Sequence, residues 1–196
     1  MKVRLVLIVL AVAAVLAVSG IVTAQEPVVG HPDPESLFTS KDPKLHTNKQ
    51  AAMHIVRDLL EAGRWDEAPK WLTERYIQHN PAFASGRQTV MTAFSRGGAP
   101  RPIPDSKSWR TKVVSVVAEG DYVTVAFVRE LPDPREPGKT YTTTWFDMWR
   151  FVDGKADEHW DYGTINPPRG GAGAPGGGAP AGGPGAGAPR GGGQRQ

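Results

Sequence analysis

Hydrophobic and polar residues follow two different periods along this chain, and the period changes near residue 109. In the first half, apolar residues recur every three or four positions across Thr47–Ala62, which predicts a helix that Thr47 caps and Gly63 ends. The same spacing predicts two shorter helices, Asp66–Leu72 and Gln88–Phe94.

In the second half, apolar and polar residues alternate, as in half-buried strands. Two tight turns, Gly120-Asp121 and Asp153-Gly154, divide the alternating stretch into hairpins. The predicted strands are Trp109–Glu119, Tyr122–Glu130, Trp145–Phe151 and Lys155–Tyr162. About three helices followed by an antiparallel meander predict an α+β fold, in which the helices wrap one face of a curved antiparallel sheet. Such a cone-shaped arrangement encloses a natural pocket.

The hairpin at Asp153-Gly154 predicts an aromatic face that contains two acids. A two-residue turn fixes the strand register, which sets Trp149 opposite Glu158 and Asp147 opposite Trp160. Trp145 shares this face because side chains alternate along a strand. Buried carboxylates are costly unless they are paired, protonated or used, so this face is the predicted functional site.

The same register assigns His159 and Asp161 to the opposite face, together with Phe146. We expect that face to be solvated or to contact a second copy of the chain. No His/Asp set has metal-ligand spacing in the sequence, so we predict no metal site and no cofactor.

The chain termini differ from its centre. Residues 1–24 predict a signal peptide cleaved after Ala24, although an uncleaved membrane anchor is the alternative. Residues 25–44 are predicted to be a flexible linker, residues 45–168 one domain, and residues 169–196 a disordered Gly/Pro/Ala-rich tail. We therefore expect a secreted or periplasmic protein without stable membrane association after cleavage. The absence of Cys excludes disulfides and thiolate metal sites.

The net charge of +3 misrepresents the domain. Five of the 23 Lys and Arg residues lie in the termini, which leaves 18 against 20 Asp and Glu in the central part. This composition lacks the basic surface of a nucleic-acid-binding protein.

Four segments resemble the SnoaL-like branch of the nuclear transport factor 2-like superfamily. They are YIQHNP at 76–81, Gly86-Arg87, AEGDYV at 118–123 and FDMWRFVDGKADEHWD at 146–161. The resemblance implies the cone-shaped fold, frequent homodimers and a ligand pocket. In the polyketide cyclases of this branch, a pocket aspartate acts as general acid/base without a cofactor, and Asp147 matches its position.

Asp147 is the first candidate catalytic residue, and His79 in the YIQHNP segment is the second. A structural acid and a packed histidine are the alternatives. We predict that Glu158, Trp145, Trp149, Trp160 and Tyr76 bind ligand, although Glu158 can instead form a salt bridge and the tryptophans can be core residues.

Three functions remain open from the sequence. The first is a module that binds a small apolar or aromatic ligand, and the second is a cofactor-independent lyase, isomerase or hydrolase that uses Asp147. The segment Val125–Val128 offers Asp147 no polar partner, which favours binding. The third is a dimeric interaction domain without pocket chemistry.

Overall fold

The computed structural model describes residues 25–163 and 165. The predicted signal peptide and the predicted tail lie outside these residues. None of the helices within the described part is long and apolar enough to cross a bilayer.

Three helical regions precede most of the sheet. The first begins as α1, Pro43–His54, and continues without a break as a π-helix, Ile55–Glu61. The second is a 3₁₀ turn, Trp65–Glu67, followed by α2, Ala68–Trp71, and the third is α3, Arg87–Ser95. The first helix begins one turn earlier than predicted, because Asp42 accepts a hydrogen bond from the Leu45 N–H (2.9 Å) and so caps it.

The segment predicted to be a linker packs against the domain. Pro34–Phe38 forms a 3₁₀ helix, and Phe38 is fully buried in the hydrophobic core. Farther upstream, the Val28 N–H donates to Thr142 Oγ1 and the His31 N–H donates to the Val113 carbonyl. The buried Phe38, with Leu37 packed beside it, and these two hydrogen bonds anchor the segment.

The sheet has five strands in the order β1-β5-β4-β3-β2. They are β1 Leu72–Gln78, β2 Val113–Glu119, β3 Tyr122–Pro132, β4 Thr140–Val152 and β5 Lys155–Asp161. Strands β2 to β5 form the predicted antiparallel meander, and β1 adds to β5 in parallel. The helices and the inner sheet face, which carries Val123, Val125 and Trp149, share one core. The α+β prediction is therefore confirmed, although the parallel edge strand was not foreseen.

The predicted register of the β4–β5 hairpin is wrong beyond its first two pairs. Phe151 lies opposite Ala156 as predicted, but Arg150 lies opposite Glu158. Asp157 is thus an extra residue on β5, a β-bulge, which reverses the faces of all later residues of that strand. Trp149 consequently faces His159, and Asp147 faces Asp161.

Candidate functional site: an aromatic cavity with a polar inner end

A cavity of about 560 Å³ lies between the inner sheet face and the helices. Its walls are mostly apolar, with large contributions from Trp65, Phe94, Phe127, Trp145 and Trp149. A group of polar side chains from β1, β4 and β5 and from the turn after β1, buried or half-buried, forms one end of the cavity, which we call its inner end: Tyr76, Gln78, Asn80, Asp147, His159 and Asp161.

Asp147 and His159 face one another at this inner end. Their closest atoms, Asp147 Oδ1 and His159 Nε2, are 3.6 Å apart, and both residues are more than nine-tenths buried. Trp145 donates from Nε1 to Asp147 Oδ1 (2.8 Å), while Oδ2 accepts no hydrogen bond from any described residue. One carboxylate oxygen is therefore held in place, and the other remains available to a ligand.

Gln78 determines which His159 nitrogen carries the hydrogen of the neutral ring. The Gln78 side-chain oxygen lies 2.8 Å from His159 Nδ1. Because an amide oxygen can only accept, Nδ1 is the donor and Nε2 presents its lone pair towards Asp147. At 3.6 Å the two side chains are not hydrogen-bonded to each other, so each can act as a proton acceptor towards a ligand.

Asp161 is held on both sides by protein donors. Its Oδ2 accepts from Asn80 Nδ2 (2.8 Å) and its Oδ1 accepts from the Gly163 N–H (2.9 Å). A side chain at Gly163 would collide with the Asn80 amide, so glycine is required for this close approach. Asp161 therefore contributes a fixed negative charge beside Asp147.

Tyr76 and Trp149 form a buried hydrogen-bonded pair. Trp149 Nε1 donates to the Tyr76 hydroxyl oxygen (3.0 Å), and Tyr76 is 4% exposed. Burial raises the pKa of the Tyr76 phenol well above its ordinary value, and the charges of Asp147 and Asp161 act in the same direction. The hydroxyl therefore remains protonated and able to donate.

The β-bulge that brings His159 and Asp161 to the cavity is held by the Asp157 carboxylate. Asp157 accepts hydrogen bonds from Thr73 Oγ1 (2.8 Å) and Arg75 Nε (2.8 Å) on β1, and from Arg150 Nη2 (2.5 Å) on β4. These contacts join three neighbouring strands at the extra residue. The Arg75 hydrogen bonds are the main cause that lowers the Asp157 pKa below its ordinary value.

Three of the predicted site residues lie together on the outer sheet face instead. Glu158 and Trp160 were assigned to the Asp147 face on the register that the bulge overturns. His79 Nε2 contacts Glu158 Oε2 (2.9 Å), and its ring stacks on Trp160 at 4.4 Å. Of the predicted site residues, the structure places only Asp147, Trp145, Trp149 and Tyr76 on the cavity wall.

Four polar residues of the inner end were not predicted from the sequence as site residues: His159, Asp161, Gln78 and Asn80. The first two were excluded by the two-residue turn rule, which is correct at the turn and fails at Asp157. The second two lie on or just after the parallel strand β1, whose partner was not predicted. Both residues belong to the YIQHNP segment, so the resemblance of that segment to SnoaL-like proteins could have indicated them.

Asp147, His159 and Asp161 could also present ligand atoms to a metal ion, since such atoms lie within 4.8 Å of one another. Both carboxylate oxygens of Asp161 already accept hydrogen bonds from the protein, which favours a hydrogen-bonding role over metal coordination for that residue.

Comparison with protein families finds one match, the SnoaL-like domain, over residues 54–159. This range is more than half of the chain and ends at His159. Comparison with curated proteins gives no match.

Solved structures with a similar fold have low sequence identity to this chain. TsrD from Streptomyces laurentii is 20% identical, with 62% of this chain and 90% of that chain covered at a TM-score of 0.42. A putative SnoaL-like polyketide cyclase from a Jannaschia species is 18% identical, with 63% and 90% covered at a TM-score of 0.47. An epoxide hydrolase of the LEH-like type from M. tuberculosis is 15% identical, with 59% and 80% covered at a TM-score of 0.42.

Proposed function

Since this chain belongs to the SnoaL-like domain family, we propose that it is a cofactor-independent acid/base enzyme acting on a small apolar or aromatic molecule. The observation that carries the proposal is the contact between Asp147 and His159 in a largely apolar cavity.

The proposed roles follow from the hydrogen bonds of each side chain. Asp147 Oδ2 accepts a proton from the substrate, while Trp145 keeps the carboxylate in position through Oδ1. The proton taken up at Oδ2 can return to the substrate from the same oxygen. His159 Nε2 lies 3.6 Å from Oδ1 and, because Gln78 holds the hydrogen of the neutral ring on Nδ1, supplies a second proton acceptor beside Asp147. The Tyr76 hydroxyl, kept neutral by burial, can donate to a developing negative charge on the substrate.

Ligand binding without turnover is the second candidate, supported by the aromatic walls alone. The sequence favoured binding because the neighbouring strand offered Asp147 no polar partner. His159 supplies such a partner from the other side, and this shifts the preference towards catalysis.

The test uses 5-nitrobenzisoxazole, a small aromatic probe whose ring opens when a base removes its C–H proton. We expect the protein to accelerate ring opening, with and without EDTA, and Asp147→Asn to lower the rate by about 100-fold or more. His159→Gln should lower it less, because the initial base remains. The control variant Asp153→Asn, at an exposed turn, should retain the full rate.

Binding of a neutral fluorescent probe, N-phenyl-1-naphthylamine, separates the two candidates. An enzyme should lose its rate in Asp147→Asn while probe affinity is kept. If the unmodified protein binds the probe but gives no rate above buffer, the catalytic proposal is overturned and the ligand-binding candidate remains.

We also propose that the protein is an exported homodimer that associates through the outer sheet face. Exposed apolar side chains on that face support the dimer: Val117, Tyr122 and Phe146 are 65%, 43% and 52% exposed. Light scattering at micromolar concentration tests this, and a monomeric mass would contradict it. Fractionation of the native cell followed by N-terminal sequencing tests export and cleavage after Ala24.

A further inference from the structure

We propose that the cavity selects small apolar or aromatic molecules that carry one negatively charged group, and that Lys112 and Arg110 hold this group at the cavity mouth. The inference deepens the proposed function, because it names the substrate class for the same cavity.

The two ends of the cavity differ in charge. The inner end carries the carboxylates of Asp147 and Asp161 beside a single imidazole. The cavity lining also includes the basic residues Arg110 and Lys112, just before β2, and Arg129 on β3, with Glu130 as the acid beside them. Lys112 and Arg110 are exposed as well as cavity-lining, so they lie where the cavity opens to solvent.

The segment that carries these two cations is fixed to the rest of the domain. The buried Glu61 carboxylate accepts the backbone N–H groups of Arg110 (2.8 Å) and Thr111 (2.9 Å). On the other side, the Val128 N–H donates to the Lys112 carbonyl (2.9 Å). The backbone from which the two basic side chains extend is therefore held in place beside the opening.

The acids near the mouth are already engaged within the protein. Glu61 is 2% exposed, and its carboxylate lies 3.9 Å from Arg110 Nε, so it compensates part of the Arg110 charge. Glu130 accepts a hydrogen bond from Thr140 Oγ1 (2.6 Å). Among the described residues, Lys112 Nζ has no ion-pair partner, which makes Lys112 the principal site for an incoming anion.

The charge difference also fixes how a ligand enters. An anionic group would be repelled by Asp147 and Asp161 and attracted by Lys112, so it remains at the mouth. The apolar body then lies against Trp145. The Arg129 guanidinium lies over the same ring, with its carbon 4.6 Å from the ring centroid. This orientation places the uncharged part of the molecule at the Asp147–His159 pair.

The test compares two fluorescent probes with the same anilinonaphthalene body. One is 1-anilinonaphthalene-8-sulfonate, which is anionic, and the other is the neutral N-phenyl-1-naphthylamine. We expect the protein to bind the sulfonate more tightly and the two probes to compete. Lys112→Gln should weaken sulfonate binding by about two- to five-fold, and Arg110→Gln should weaken it less, with neutral-probe affinity unchanged in both. Added salt should reduce the preference.

Lys107→Gln is the matched control, because Lys107 is exposed on the same segment and does not line this cavity. It should behave as the unmodified protein. Equal affinity for both probes, the absence of competition, or an unchanged preference in Lys112→Gln would each overturn the inference. If the unmodified protein does not accelerate ring opening of 5-nitrobenzisoxazole but binds the two probes as expected, only the proposed function is contradicted.

Discussion

The Asp157 carboxylate contacts the Arg150 guanidinium at 2.5 Å, and this contact joins β5 to β4 at the point where β5 gains its extra residue. Arg150 also donates from Nε to Glu158 Oε1 (2.7 Å), the residue opposite it. One arginine thus binds two successive acids, which can share a side of the strand only because of the bulge. The cavity receives His159 and Asp161 as a direct consequence.

Replacing Asp157 should destabilise the protein strongly. Asp157→Asn removes the negative charge of the buried one of the two acids that Arg75 and Arg150 share, the other being Glu158, and we expect the free energy of unfolding to fall by about 2 kcal/mol. Urea denaturation measures this value. Asp153→Asn is the control, with an expected change under about 0.5 kcal/mol. A loss no larger than that of the control would show that Asp157 does not hold the bulge.

The same carboxylate should make stability depend on pH in the acid range. The Asp157 pKa is lower in the folded protein than in the unfolded chain, because of Arg75 above all, and the Glu158 pKa is lowered chiefly by His79. The stabilisation is therefore complete above the unfolded-state pKa values, about 4, and is lost as the pH falls through the folded-state values. Urea midpoints from pH 6 to pH 2 should fall less steeply in Asp157→Asn. Parallel curves would contradict this prediction.

Tyr76 should not ionise while the protein is folded. Because burial raises its pKa, Tyr76→Phe should leave the tyrosinate absorbance of the native protein unchanged during a base titration. Charging of Tyr76 occurs only on unfolding, so stability is lost as the pH rises above the ordinary tyrosine value, about 10. This loss should be smaller in Tyr76→Phe. A native titration amplitude that decreases in the variant would show that Tyr76 does ionise.

The N-terminal segment should contribute to stability through Phe38. Phe38 is fully buried, so Phe38→Ala should lower the free energy of unfolding by about 3–5 kcal/mol. Val29, which is 75% exposed, provides the control: Val29→Ala should change stability by less than about 0.5 kcal/mol. Equal stability of the two variants would support the original expectation that residues 25–44 are a flexible linker.

Local patterns in the sequence were sufficient for the fold class. The alternation from residue 109 onwards and the turn at Asp153-Gly154 predicted the antiparallel hairpins, because side-chain alternation and turn conformation are local properties. Asp153 and Gly154 both have positive φ, as the favoured two-residue turn requires. The resemblance to SnoaL-like proteins, carried by short motifs in the same order, was confirmed by the family match.

The composition of the site was decided by tertiary structure. Asp147, Trp145, Trp149 and Tyr76 were placed correctly on the cavity side, since they lie before the bulge in the chain. The positions of His159 and Asp161 depend on Asp157, whose partners Thr73 and Arg75 are more than 80 residues away. The sequence alone determined the order of helices and strands and the aromatic side of β4, because these follow from neighbouring residues. Only the three-strand contact at Asp157 decided which acids and which histidine enter the cavity, because one extra residue in a strand reverses every side chain after it.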